Sequence, residues 1–224
     1  MTMSKIELSP INKLTTQERV YKEIKKSILN GNLSSRAIFT EGQLAESLET
    51  SRTPVRAALQ DLTNEGLIVT IPRKGVMVRE LTSEEQDELF FIRVAIETEL
   101  AKRVVNYIND DHITRLKEIY GKQEEAKSRI DGVKFIELDL KFHLTIIDIT
   151  NFEFSKQIIL NMHNLSILAG LKALNQKGRM EIVLSEHKKI IDALENRDGE
   201  LAAKYMKLHL DSTNDTLKIV DGDY

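Results

Sequence analysis

No cysteine occurs anywhere in the 224 residues. That absence excludes disulfides, zinc ribbons, iron–sulfur clusters and thiol nucleophiles. Any metal held by this chain would have to be bound through nitrogen and oxygen. Long apolar runs are also missing: Arg93 and Lys172 interrupt the two best candidates, and a membrane span needs roughly 18 apolar residues in a row. Met1–Pro10 contains no apolar stretch of the kind a secretory signal carries. The expectation is a soluble, cytoplasmic protein with no membrane partner. The glycines are scattered and show neither Walker nor Rossmann spacing, which argues against a phosphate-cradling loop. Proline is scarce and unevenly placed: Pro10, Pro54 and Pro72 all lie in the first third.

Apolar residues make up 41% of the chain, enough for a sizeable core. The near-neutral total of −3 hides an asymmetry. Residues 1–82 carry a net charge of +3 and residues 83–224 a net charge of −6, and all five histidines fall in the latter part. A basic amino-terminal part before an acidic remainder predicts two domains, 1–82 and 83–224, with different partners.

Thr15-x-x-Glu18 is a capping-box pattern, followed by Val20, Ile24 and Ile28 at helical spacing, with Gly31 as a stop. A second box, Thr40-x-x-Gln43, opens a short helix carrying Leu44, Ala45 and Leu48. After Glu49-Thr50, Ser51 is placed to cap a third helix. Pro54 is tolerated in its first turn because those N–H groups have no intrahelical partner. Val55, Ala58, Leu59 and Leu62 form its buried stripe. Leu67–Ile71 reads as a strand, Pro72-Arg73-Lys74-Gly75 as a tight turn that Gly75 permits, and Val76–Val78 as the returning strand.

Three short helices and a β-hairpin form the layout of a winged helix-turn-helix. Arg52 stands at the start of the third helix and Arg56 one turn later on the same face. Recognition helices present such residues to the major groove, where an arginine can grip guanine O6 and N7. The hydroxyls of Ser51 and Thr53 could reach phosphates. Arg73 and Lys74 at the hairpin tip could touch the backbone or minor groove. A small helical domain with surface arginines is the plainer alternative.

The run Leu44-Ala45-Glu46-Ser47-Leu48-Glu49-Thr50-Ser51-Arg52-Thr53-Pro54-Val55-Arg56-Ala57-Ala58-Leu59, with Leu62, Glu65-Gly66-Leu67 and Pro72-Arg73-Lys74-Gly75-Val76, resembles the DNA-binding domain of GntR-family regulators. The resemblance covers about residues 15–80. It implies that Ser51, Arg52 and Arg56 contact double-stranded operator DNA, with the wing tip assisting. Two departures stand out. Ser35-Arg36 replaces the usual proline-glycine, and Gly42 sits where some members carry a DNA-contacting arginine, so that contact is not transferred.

From Ser83 onward there is no proline, and the pattern is helical nearly throughout. Thr82-x-x-Glu85 opens a helix with Leu89, Ile92, Ile96, Leu100 and Val104 on one stripe. Further helices are predicted over about 111–128, 133–150, 154–175, 179–196 and 200–219. Gly132, Asn151, Gly178 and Gly199 separate them. The fold class is therefore mainly α, a winged head followed by an all-α bundle of about six helices.

Asp139 and His143 are spaced i,i+4 and share a helix face. His187 falls on the apolar side of a later helix with Leu184, Ile191 and Leu194, and His209 lies near Ala202 and Met206 in the last. Four groups from three helices can converge on a divalent ion, as in other helical bundles. Zn²⁺, Ni²⁺, Mn²⁺ and Fe²⁺ all suit such donors. Partly buried side chains without a shared ligand are the alternative. Residues 85–215 also resemble the FCD ligand-binding domain of the FadR-like branch. The matching pieces are Arg93-x-x-x-Glu97, Asp139-x-x-x-His143, Asn151, His187 and His209. The resemblance implies a divalent metal on Asp139, His143, His187 and His209, whereas His112 and His163 match no ligand position. Arg93 has two readings: a bidentate donor to an effector carboxylate, or an ion pair with Glu97 on its own helix face.

The expectation is a transcriptional regulator, a repressor, binding a two-fold operator as a homodimer and controlled by a small organic acid held near the metal. Two other classes remain open on the residues: a metal-dependent enzyme acting on a small carboxylate, and an effector-independent DNA-binding protein.

Overall fold

A computed structural model describes residues 14–35 and 37–222. The readings of Met1–Pro10 and of Arg36 lie outside the described residues. The chain divides into two compact units, one taking residues up to 64 together with 68–78, the other taking 65–67 and residues from 79 onward.

The first unit contains α1 (Thr16–Leu29), β1 (Ile38–Phe39), α2 (Glu41–Ser47), α3 (Arg52–Asn64), β2 (Ile68–Ile71) and β3 (Gly75–Val78). Both expected capping boxes are formed. Thr15 and Thr40 accept from the N–H of Glu18 and Gln43, whose side chains reach back to the cap N–H groups. The predicted stripes are buried: Val20, Ile24 and Ile28 of α1 and Val55, Ala58, Leu59 and Leu62 of α3 meet in one core. The turn between α2 and α3 passes through Glu49 in the left-handed region (φ 49°).

The expected hairpin forms as β2 and β3, and the sheet adds a strand to it. It has three strands in the order β1-β3-β2, all antiparallel, with Ile38 opposite Met77 and Phe39 opposite Val76. A two-residue strand is too short to show a period of two. Gly75 also has a different role from the one its sequence position suggests. Arg73, not Gly75, takes the left-handed position of the turn (φ 63°), and the Lys74 N–H closes it on the Ile71 carbonyl. Gly75 lies in β3 at φ 141°, and a Cβ there would sit 2.2 Å from the Phe39 carbonyl oxygen. Only glycine lets β1 approach β3 this closely.

The second unit contains α4 (Ser83–Arg103), a short 3-10 turn (Val104–Asn106), α5 (Asp110–Ser128), α6 (Gly132–Thr150), α7 (Glu153–Asn161), α8 (His163–Ala173), α9 (Arg179–Glu195) and α10 (Gly199–Asp221). Thr82 forms the third capping box. Among the described residues there are seven α-helices here rather than six. The predicted 154–175 segment is two helices broken at Met162, whose N–H turns back to the Ile159 and Leu160 carbonyls. No glycine or proline marks that break. α4 lies along α10, and α5 and α6 pack together, with α9 against α5 and α10. Phe135, Phe142, Leu116, Ile146, Leu194 and Met206 fill the centre.

Of the stripe predicted for α4, Leu89, Leu100 and Val104 are buried, but its middle is not. Ile92 and Ile96 are only half-buried, whereas Arg93 and Glu97 are 4% and 1% exposed. No described helix is long and apolar enough to cross a membrane.

Candidate metal centre and nucleic-acid interface

In the first unit, α3 begins at Arg52 directly after Ser51, and Ser51, Arg52, Thr53 and Arg56 are all exposed. The core stripe of α3 faces the other way, so burial of Val55 and Leu59 is what turns these four outward. A Cβ on Gly42 would stand 3.4 Å from the guanidinium of Arg52, in ordinary contact with the end of that exposed side chain. Arg56 is bidentate on Glu41: Nε donates to Oε1 at 3.0 Å and Nη2 to Oε2 at 2.8 Å. This pair is 15 residues apart in sequence, and nothing in the sequence pattern announces it. Arg73 and Lys74 are exposed at the hairpin tip. A non-glycine residue in the left-handed region at an exposed tip is an uncommon arrangement that often accompanies function.

In the second unit, α6 supplies Asp139 and His143, α9 supplies His187, and α10 supplies His209. All four are buried, and one ligand atom from each lies within 4.8 Å of all the others. The Nε2 atoms of His143 and His209 are 3.1 Å apart, and His187 Nε2 is 3.3 Å from Asp139 Oδ1. The four residues singled out by sequence are thus brought to one point. His112 instead completes the capping box of α5, its backbone N–H donating to Asn109 Oδ1 and its Nδ1 accepting from the Asn109 N–H, and His163 begins α8.

The outer nitrogens explain how the rings are held. His143 Nδ1 lies 2.5 Å from Glu97 Oε2, His187 Nδ1 is 2.8 Å from Gln123 Oε1, and His209 Nδ1 is 2.8 Å from Glu186 Oε2. The Gln123 amide donates to the Phe135 carbonyl at 3.4 Å, which turns its oxygen toward His187. An acceptor behind each Nδ1 favours the tautomer protonated there, which turns the Nε2 lone pair toward the centre. Phe142 stacks on the His187 ring with centroids 4.1 Å apart, fixing its plane. Three imidazoles and a carboxylate facing one another in a buried space form an arrangement that a cation would complete. The donor set fits a divalent ion, and softness does not choose among Zn²⁺, Ni²⁺, Mn²⁺ and Fe²⁺.

Electrostatics favour the proton-free forms of Asp139, His187 and His209. Burial opposes charge on Asp139, but the His187 contact and the surrounding imidazoles outweigh it and hold its carboxyl below the usual carboxylate range. Burial pushes His187 down to about 4, further than Asp139 can raise it. His209 is also lowered by burial, against the opposing pull of Glu186. Burial would raise Glu97, yet Arg93 and His143 hold it at about 2.

Arg93 satisfies one of its two readings outright: Nε donates to Glu97 Oε1 at 2.6 Å. Its Nη2 is buried without a partner. Arg93 lines a small cavity together with Asp139, His209, Phe90, Ile136 and Arg179. Sequence reasoning gave no role to Gln123, Glu186 or Arg179. Such residues carry no local signature, and only their contacts in the folded chain reveal them.

Comparison with known proteins fits both units. The gntR family of bacterial regulatory proteins matches residues 16–78, and the FCD domain matches residues 88–212. The uncharacterized HTH-type transcriptional regulator YdhC of Bacillus subtilis is 28% identical over 203 residues, covering 89% of this chain and 90% of that protein. The gluconate operon transcriptional repressor of Bacillus licheniformis is 28% identical over 222 residues, covering 94% and 90%. A structural-genomics crystal structure assigned to the GntR regulators, from Rhodococcus sp. RHA1, shares the fold with a TM-score of 0.78 at 22% identity, covering 93% of this chain and 98% of that one. With a gntR head followed by an FCD domain over more than half of its length, the chain belongs to the GntR family of bacterial transcriptional regulators, in the group that carries an FCD domain.

Proposed function

We propose that this regulator is a homodimeric repressor whose hold on operator DNA is set by a small carboxylic acid, bound beside a divalent ion in the helical domain. In this reading a DNA-binding domain spans 1–82 and an effector domain 83–224, and the protein works in the cytoplasm. The observation that carries it is the convergence of Asp139, His143, His187 and His209 beside a cavity that Asp139, His209 and Arg93 line. A divalent ion held there would supply a Lewis-acidic anchor for a carboxylate oxygen. Arg93 adds a buried guanidinium donor. Acid binding then shifts the population between operator-competent and operator-incompetent states by as much as its affinity differs between them. Repression is supported by the name of the gluconate operon relative. Elemental analysis of the purified chain should find a stoichiometric divalent ion, and at least one small carboxylate should release the protein from its operator in a mobility-shift assay. A metal-free chain whose DNA binding no carboxylate alters would overturn the proposal.

At the operator, Ser51, Arg52, Thr53 and Arg56 read or clasp the major groove, and Arg73, Lys74 and Gly75 form the wing contact. Arg52→Ala should cost about 1–3 kcal/mol in operator binding and relax base preference at one position of each half-site. A footprint and affinity identical to wild type would remove Arg52 from the set of base-contacting residues.

A further inference from the structure

Arg179, at the start of α9, is 2% exposed and among the largest fully buried side chains of the molecule. A guanidinium is kept out of water only where its donors are met. Nη1 donates to Ser212 Oγ at 2.8 Å and Nη2 to Thr213 Oγ1 at 2.6 Å, with Glu186 Oε2 3.3 Å from Nη2. Nε is buried and has no partner. Arg93 repeats the pattern from α4, with Nε on Glu97 and a buried, unpartnered Nη2. Both arginines line the same cavity.

The two are also wired alike. Arg93 binds Glu97, which lies against His143; Arg179 binds Glu186, which lies against His209. Each path runs from the cavity through a carboxylate to a histidine of the cluster. An arginine kept only for packing has its donors met within the protein, whereas each of these keeps one buried N–H unmet beside a shared cavity.

We infer that Arg179 is a second anion-binding residue of this cavity, paired with Arg93, and that the ligand is a small acid with two separate acceptor groups. One guanidinium takes a carboxylate. The other takes a hydroxyl, a carbonyl or a second carboxylate on the same short skeleton, whose carbons meet Phe90, Ile136 and Val183. The inference rests on the proposal that this cavity takes the effector acid.

The test is calorimetric titration of the full chain, saturated with Zn²⁺, with propionate, lactate and succinate. These share a short carbon skeleton, and only the last two offer a second acceptor. Wild type should bind lactate or succinate roughly tenfold or more tightly than propionate, the cost of leaving a buried donor unmet. Arg179→Lys should bind propionate as wild type does and lose that preference, whereas Arg93→Lys should weaken all three. Thr213→Val, close in shape, removes the acceptor that positions the Arg179 guanidinium and should narrow the preference even if Arg179→Lys does not fold. A preference unchanged in both the Arg179 and Thr213 variants overturns the inference, as does equal binding of all three acids by wild type. Failure of wild type to bind any of the three overturns the reading of the cavity itself.

Discussion

Glu97→Ala should destabilise the helical domain by about 3–5 kcal/mol, the usual consequence of removing one partner of a buried ion pair. Glu97 is 1% exposed and touches both Arg93 and His143. Alanine would leave a guanidinium buried without its counter-charge and a histidine without the acceptor that fixes its ring. In a domain of this size the loss corresponds to a fall in melting temperature of roughly 10 °C or more. The double variant Arg93→Met, Glu97→Leu supplies the control. Replacing a buried pair with apolar groups of similar volume is often neutral or stabilising, so much of the melting temperature should return. Metal affinity should stay weakened, because His143 Nδ1 has still lost its partner. Thermal unfolding of the two variants, with metal content measured on each, separates these effects. A single variant as stable as wild type would show that the pair contributes nothing.

His209→Ala should have the second large effect. Loss of a partner that merely orients a ligand costs 10–100-fold in metal affinity, and removing a ligand outright should cost at least about 100-fold on the same scale. Because an ion that binds only the folded chain stabilises it by mass action, wild type at 100 times its dissociation constant gains about 2.7 kcal/mol, and the variant should gain almost none. Chelator should therefore lower the melting temperature of wild type and leave that of His209→Ala nearly unchanged. Full metal occupancy in the variant, or a wild-type melting temperature indifferent to chelator, would sink the assignment of His209 as a ligand. DNA binding by the head should not be abolished by this substitution, since the recognition helix belongs to the other compact unit.

Much of the architecture was legible because its determinants are short-range. A capping box is closed by two hydrogen bonds across three residues, and the three predicted from Thr15, Thr40 and Thr82 are all present. The stripe of α3 follows from helical spacing alone, and its opposite face carries Arg52 and Arg56 outward. What escaped had no local cause. β1 is two residues long and exists through its pairing with β3. The break at Met162 lies in a segment without a helix breaker. Arg73 occupies a backbone region usually left to glycine, while Gly75 two residues later is required by the approach of Phe39.

The α4 stripe teaches the same lesson at the site. Counting apolar residues pointed to Ile92 and Ile96, but the buried face includes Arg93 and Glu97. Hydrophobic periodicity assumes that polar residues seek water, and it fails where a polar network is met inside the protein. For the same reason Gln123, Glu186 and Arg179 could not be singled out beforehand.

By itself, then, the sequence determined the ligand chemistry and the local elements. Without cysteine the cluster is confined to nitrogen and oxygen, and capping and spacing place three histidines and an aspartate on helices. Only the tertiary structure decided that these helices turn the four side chains to one point, that each imidazole has an acceptor behind it, and that two arginines border the cavity beside them. Capping depends on contacts within one turn. Convergence depends on the rotational phase of three packed helices, set by contacts between residues as far apart as His143 and His209.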